Sequence, residues 1–539
     1  MKYGFVIDNR KCIGCHACTT ACKAEHEVPV GVNRTWVKQV EQGTFPDTRR
    51  LFSVMRCNHC TDAPCVDICP TEALYTRADG IVDFDKDRCI GCKSCMQACP
   101  YDALYIDPDT HTAAKCNYCA HRIDVGLEPA CVNVCPEHAI ISGDMENSET
   151  EIAQLLSEHI TKVRSEEKNT KPNVFYIDAE DVSLVPTATL QHTDSFWGSQ
   201  SRGVGHFAKE AEKMAFSNAD VVTELINLNG KLKDGDTDIH APKSVEVLMN
   251  NSKRVYDSPQ KGILWGWEVS AYVWTKAISA GAILIPAIAF LVFGFDFTSE
   301  AINWSVGISL LALIATGILL IKDLDRPDRF LYVLLRPHWK SWLVKGGYAI
   351  TVFGGLTTLL GLSNIFGWNA LITPVLVATS LVAIIVAVYT AFLFAQAKGR
   401  DLWQSKLAPF HMLNHALMAG AAIFLLVGIF VESFDAIAPL LKSILIITLV
   451  INGMIMLIEL LGKHNSIPLR LTVESIKNGR FKNRFYLFVL GIGHIVPLLL
   501  LLFGGYSAPI VSALTISVLI GIYCQEDIWV SAPQHIPLS

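Results

Sequence analysis

The run Cys89-Ile-Gly-Cys92-Lys-Ser-Cys95-Met-Gln-Ala-Cys99-Pro100 constrains this chain more than any other stretch. Its C-x2-C-x2-C-x3-C-P spacing lets three thiolates wrap one iron-sulfur cubane while the fourth reaches a neighbouring cluster. A second run must therefore lie nearby. Cys57, Cys60, Cys65 and Cys69, followed by Pro70, repeat the pattern with two extra residues in the middle gap. Cys12, Cys15, Cys18 and Cys22 precede this pair, and Cys116, Cys119, Cys131 and Cys135, followed by Pro136, come after it.

The ligand-exchange rule gives the expected sets. Cys57, Cys60 and Cys65 join Cys99, and Cys89, Cys92 and Cys95 join Cys69. The outer groups pair likewise, Cys12, Cys15 and Cys18 with Cys135, and Cys116, Cys119 and Cys131 with Cys22. Four [4Fe-4S] clusters follow. Disulfides or zinc knuckles fit less well, because zinc ribbons use paired C-x2-C without the third and fourth cysteines and the proline. Cluster assembly also needs free thiolates, which points to a reducing compartment, and Met1 to Cys12 contains no apolar signal-peptide core.

A chain of 539 residues exceeds what one core requires, and its composition splits. Sixteen of the 17 cysteines lie before residue 136, whereas long uncharged stretches begin only after about residue 265. The seventeenth, Cys524, sits alone in an apolar segment and reads as packing. The expected division is a four-cluster ferredoxin-like domain over 1–180, a partly ordered connector over 181–262 and a membrane domain over 263–539. The fold class is an α+β ferredoxin-like domain followed by an all-α bundle of eight transmembrane helices. Net charge of −6 gives no reason to expect nucleic acid.

In the front domain, Tyr3 to Ile7 reads as a strand, and Ala73 to Tyr75 pairs with Ile81 to Phe84 around the Asp79-Gly80 turn. Glu146 to Glu167 and Phe207 to Leu232 have amphipathic helical patterns, and Asn173 to Ile177 suits an edge strand. The rest of that domain is expected to be mostly loop, cross-linked by its clusters.

Residues 1 to about 180 resemble the four-cluster iron-sulfur subunit of molybdopterin oxidoreductases of the dimethyl sulfoxide and polysulfide reductase type. The resemblance rests on all four cysteine groups, with cysteine at every ligand position. It implies a relay of electrons between a separate molybdopterin catalytic subunit and the membrane.

From Trp265 onward, eight apolar stretches each approach the ~20 residues needed to cross a bilayer. They lie near 267–293, 302–321, 343–362, 372–396, 408–431, 437–461, 485–504 and 508–526. The loops after the second, fourth and sixth stretches are rich in Lys and Arg, and the alternate loops contain none. The positive-inside rule then places the basic loops, both termini and the cluster domain on the cytoplasmic side of the inner membrane. Lys442 departs from this pattern and can snorkel outward. No twin-arginine export signal is visible.

The membrane half resembles the NrfD-like polysulfide reductase membrane subunit through Asp323-Leu-Asp-Arg-Pro-Asp-Arg-Phe330 and Arg336-Pro-His-Trp-Lys-Ser341. That resemblance implies a quinone or quinol site, for menaquinone or ubiquinone, near the face where the iron-sulfur domain docks. Glu268, Tyr272 and Lys276 recur every four residues on one helix face, with Ser279 continuing the stripe. Lys276 lies roughly 12 Å below the interface at 1.5 Å per residue. A charge at that depth costs a few kcal/mol unless it meets a polar cavity or partner, so it marks either the quinone pocket or an ion pair with a carboxylate on span two. Tyr272 and Lys276 are expected to donate to the quinone oxygens, with Glu268 and Asp323 or Asp325 relaying protons. Arg326 and Arg329 either brace their loop or attract the cluster domain. His411, His415 and His494 raise the question of a b-type haem, which is not expected, because the resembling family usually lacks one and a lone membrane histidine is more often bonded within its bundle.

The expected function is thus an electron-transfer and membrane subunit linking a molybdopterin partner to the quinone pool. Two rivals stand beside it, a passive anchor serving a soluble electron carrier and a redox-driven proton translocator. Intramembrane acids look sparse, with Glu459 close to an interface.

Overall fold

The computed structural model describes residues 1–44, 46–189, 252–258 and 261–539. The expected helix at 207–232 lies outside them, as does most of the expected connector over 181–262. Among the described residues the front domain carries β1 (Tyr3–Asp8), β2 (Thr35–Thr44), β3 (Asp47–Arg56), β4 (Leu74–Thr76), β5 (Val82–Phe84), β6 (Leu104–Ile106), β7 (Ala113–Lys115), β8 (Ile140–Asp144), β9 (Thr161–Lys162), β10 (Val174–Ile177) and β11 (Ser252–Tyr256).

The two short hairpins, β4–β5 and β6–β7, belong to the inner cysteine groups. The first closes through Gly80, whose φ of +80° is open to glycine at no steric penalty. β1 is sandwiched between antiparallel β8 and parallel β10, so the first and last parts of the domain are tied together. The 173–177 segment is therefore not an edge strand. β9 covers its outer side, and its residues are mostly buried because both neighbours supply hydrogen bonds. The amphipathic helix is shorter than its pattern, Glu151–Glu158, because Thr150 caps its start and the chain turns extended at His159.

The long β2–β3 hairpin was not legible in advance, since its Arg, Lys and Gln residues break any clean alternation. β11 adds to its free edge, so residues just before the membrane half belong to the front domain's sheet.

Among the described residues, eight helices are long and apolar enough to cross a membrane: Trp267–Leu291, Ser299–Lys322, Trp342–Ile365, Asn369–Gln396, Ala408–Val427, Ala438–Leu461, Arg484–Phe503 and Ala508–His535. They are numbered spans one to eight below. Spans one and five touch through backbone: a Cβ on Gly281 would collide with the Ala416 carbonyl oxygen. Spans seven and eight meet similarly at Gly493 and Gly521.

Span eight continues past the expected end at 526. The polar run Gln525-Glu526-Asp527 breaks the apolar pattern but is satisfied inside the bundle. Glu526 pairs with His415, and Asp527 accepts from Ser270 and Arg484. The C-terminal tail then returns beneath the cluster domain, where Gln97 donates to Gln534 at 2.6 Å.

Candidate functional site

Each of the four C-x2-C loops reverses the backbone just before its second cysteine. Gly14, His59, Gly91 and Tyr118 occupy that position, and all four have positive φ, between 43° and 70°. Two glycines adopt it freely, while His59 and Tyr118 are held there by burial at 1% and 0% exposure. This turn brings the following sulfur back toward the first.

The resulting sulfur groups follow the exchange rule. Cys12, Cys15, Cys18 and Cys135 line one small cavity, and Cys89, Cys92, Cys95 and Cys69 line another. Cys65 neighbours Cys57, Cys60 and Cys99, and Cys22 neighbours Cys116, Cys119 and Cys131 closely enough to interact electrostatically. All sixteen are free of disulfides. Burial pushes the Cys18, Cys60 and Cys92 thiols up to about 12 and Cys99 to about 11. Bare thiols in such surroundings stay protonated at neutral pH, and an iron cation is what holds them as thiolates. The donor set thus fits clusters. Donors also point at sulfur: Arg56 Nη1 to Cys131 at 3.3 Å, and backbone N–H groups of Ala113 to Cys89 at 3.3 Å and Ala139 to Cys135 at 3.2 Å.

The Cys89–Cys99 loop sits on the bundle. Asp325 and Arg326 donate backbone N–H groups to the Gly91 and Ile90 carbonyls, each at 3.3 Å, and Lys93 pairs with Asp325 at 3.3 Å. On the neighbouring loop, Ser341 donates to Ile68 at 2.7 Å and His338 N–H to Pro70 at 3.0 Å. Gly91 has no room for a side chain, because a Cβ would come 2.7 Å from that of Asp325. A cavity of about 210 Å³ remains between the two parts. Its walls include Cys92 and Ser94 from the cluster side, Tyr272 from span one, Asp323 at the end of span two, and Tyr389 and Leu393 from span four. Burial lifts the Asp323 carboxyl to about 7, against the opposing pull of Lys93.

Residues 257–530 match the family model described as polysulphide reductase, NrfD, which covers half of the sequence. The protein belongs to this NrfD family. Ahead of the NrfD domain, residues 11–74 and 48–145 match 4Fe-4S dicluster domains. The front domain is 43% identical over 189 residues to a tetrathionate reductase subunit of Salmonella typhimurium, covering 34% of this chain and 76% of that relative. It is 42% identical over 181 residues to a polysulfide reductase polypeptide of Wolinella succinogenes, covering 33% and 94%, and 33% identical over 225 residues to the arsenate respiratory reductase iron-sulfur subunit of a Shewanella strain, covering 33% and 96%. The protein is therefore a multi-pass membrane oxidoreductase component in which a ferredoxin-type 4Fe-4S domain is fused to an NrfD domain, and its relatives are subunits of reductase complexes.

Within the NrfD domain, the structure brings Tyr272 and Asp323 together at the cavity wall. Lys276 stands one helical turn deeper. Its ammonium lies 4.6 Å from the centre of the Tyr389 ring and donates to Thr390 Oγ1 at 2.6 Å and the Ala387 carbonyl at 3.1 Å, both on span four, rather than to a carboxylate on span two. Glu268 is off the wall, 3.6 Å from Lys322 at the helix end. Arg326 is off it too: it grips Asp328 at 2.8 Å and the Thr110 carbonyl at 3.3 Å, bracing the docked domain. Arg329 does the same through the Lys86 and Cys89 carbonyls. His411 and His415 bond to each other on one helix, and His494 bonds to Asn452 and the Val489 carbonyl. Lys442 reaches the ring of Tyr506, in the loop far from the cluster domain.

Sequence reading missed Tyr389, Arg56 and Glu526. Tyr389 sits in an apolar helix with no periodic polar companion, and Arg56 gives no local sign that it will be buried against sulfur. Glu526 lay at the assumed end of span eight.

Proposed function

We propose that this chain passes electrons between a molybdopterin catalytic subunit and a quinone bound in the cavity between its two halves. The sixteen cysteines named above would hold four [4Fe-4S] clusters, which when bound supply one-electron transfer along the front domain. The observation that carries this reading is the shared wall: Cys92 and Ser94 line the same 210 Å³ space as Tyr272, Asp323 and Tyr389. An apolar two-electron carrier entering from the bundle reaches a cluster ligand there without leaving protein.

The side chains divide the work. Tyr272 and Tyr389 flank the cavity and can orient a quinone ring through stacking and hydroxyl donation. Asp323, poised near neutral pH, exchanges a proton with the quinone oxygen at the docking side. The Lys276 ammonium polarises the opposite end through its contacts around Tyr389. Arg326, Arg329, His338 and Ser341 keep the front domain seated so that this geometry persists.

Added quinol should reduce the iron-sulfur chromophore of the purified chain, or reduced clusters should donate to added quinone. Asp323 predicts the pH dependence. Quinol oxidation needs it as carboxylate and rises through about pH 7, whereas quinone reduction needs it as acid and falls over the same range. Asp323→Asn should abolish either titration. Clusters that ignore both quinol and quinone would favour the passive-anchor reading.

The loops that meet the front domain are the basic ones, including Arg326, Arg329, Lys340 and Arg400. The positive-inside rule supports a cytoplasmic front domain and catalytic partner. Protease should remove it from inside-out but not right-side-out vesicles, and the reverse pattern would place it outside.

A further inference from the structure

A second polar centre lies inside the bundle, away from the cavity wall. His411 and His415 stand one turn apart on span five, and Gln525 and Glu526 face them from span eight. His415 Nδ1 is 2.6 Å from Glu526 Oε1, and its Nε2 is 3.0 Å from His411 Nε2 and 3.3 Å from Gln525 Oε1. His415 and Glu526 are 0% and 1% exposed. The second carboxylate oxygen, Glu526 Oε2, has no hydrogen-bond partner among the described residues.

Hydrogen-bond directions can be read inward from one fixed end. His494 Nδ1 faces the Val489 carbonyl at 2.8 Å, so it must donate, which leaves Nε2 of the neutral ring as an acceptor. Asn452 Nδ2, 3.0 Å away, therefore donates to it, and its other hydrogen goes to Gln525 Oε1 at 2.8 Å. That pins the Gln525 amide, whose nitrogen donates to His411 Nε2 at 2.8 Å. His411 Nε2 is thus an acceptor. His415 now faces two acceptors at Nε2 and Glu526 at Nδ1, and with Glu526 ionised the doubly protonated ring satisfies all three.

We propose that His415 and Glu526 form a buried proton-loading site, an imidazolium–carboxylate pair that stores one of the protons exchanged with the quinone through Lys276. This rests on the quinone reading above. Lys276, on span one, is within electrostatic range of Glu526. Glu459, on span six, is too. Glu459 accepts from Ser405 at 2.8 Å and lines a separate cavity of about 790 Å³ beside Lys168, Asp401 and His464 on the front-domain side. The other nearby charge, Asp527, is already bound by Arg484 and Ser270.

The proton count closes. Reduction of one quinone takes two electrons and two protons. One proton comes from the Asp323 carboxyl and the other from the Lys276 ammonium, relayed by the Thr390 hydroxyl, which accepts from Lys276, to the Tyr272 hydroxyl on the cavity wall. Lys276 is then reprotonated from His415, which becomes neutral while Glu526 stays a carboxylate, and His415 reloads through Glu459 from the larger cavity. Quinol oxidation runs the same transfers backward. The orphan Glu526 Oε2 is the acceptor that makes the handover to or from Lys276 feasible.

Two measurements on the full chain in lipid vesicles test this. Nitrogen-15 histidine NMR, with no quinone added, should show one buried imidazolium at neutral pH, lost in His415→Asn and altered in Glu526→Gln with iron content unchanged. Absence of that resonance overturns the loading site, as does a stoichiometric divalent metal released by His411→Ala. Redox-driven infrared difference spectra with added menaquinone should show quinone bands together with an exchange-sensitive histidine signal. In Glu526→Gln the quinone bands should persist, the histidine signal should vanish and turnover should slow about a hundredfold. Quinone bands with an unchanged histidine signal in that variant overturn the link to the quinone. An imidazolium by NMR with no quinone bands in the wild type supports the loading site and overturns the quinone reading instead.

Discussion

Lys276→Leu is expected to lower quinol-dependent cluster reduction by about a hundredfold or more while leaving the iron content of the protein unchanged. The side chain is 1% exposed, and its ammonium is held only by neutral groups, the Thr390 hydroxyl, the Ala387 carbonyl and the Tyr389 ring. A lone buried charge of this kind is a burden on folding, since the full desolvation penalty is not repaid by an opposing charge in contact. Leucine fills similar volume without that penalty, so the variant should fold at least as well as the parent. Loss of activity in a protein as stable as the wild type is a functional signature. Unchanged turnover would remove Lys276 from both the quinone pocket and the proton route.

Cys95→Ala should have the larger effect on the wire. Cys95 is 7% exposed in the core that joins both halves, and the set it belongs to includes Cys92, whose residue forms part of the cavity wall. Iron should fall by about four atoms from about sixteen per polypeptide, and quinol should no longer reduce what remains. The contrast is Cys524→Ala. Cys524 is partly exposed and stands apart from the four groups, so that variant should keep both its iron and its rate. An iron count well below sixteen in the wild type, or zinc in its place, would remove the basis of the proposed electron path.

The grouping of the sulfurs was legible because cysteine spacing is a local property. A C-x2-C loop has few ways to point two sulfurs at one metal, and the positive φ at Gly14, His59, Gly91 and Tyr118 shows the same solution repeated four times. The spans were legible for a similar reason, since backbone in lipid must satisfy its own hydrogen bonds. The cavity was only half legible. Tyr272 announced itself by helical period and Asp323 by its place in the acidic and basic run after span two, but Tyr389 came from a span more than a hundred residues away, and Lys276, on the same stripe as Tyr272, stands one turn below the wall. Glu268 and Arg326 had the right chemistry and the right neighbourhood in sequence, yet ion pairing at the helix end and bracing of the docked domain claim them instead.

The failure at span eight is the most instructive. Hydropathy treats Gln525, Glu526 and Asp527 as the end of a membrane helix because it assumes each polar group faces lipid. In the folded bundle they face His411, His415, Ser270 and Arg484. The amino-acid order alone determined that this protein has a sulfur-ligated front and an eight-helix membrane back, because both depend on contacts within a few turns. Only the tertiary structure decided where the two halves meet, which polar side chains share a cavity and which share a hydrogen-bonded network, because those depend on groups brought together from distant spans, where the energy of a buried charge is set by its neighbours.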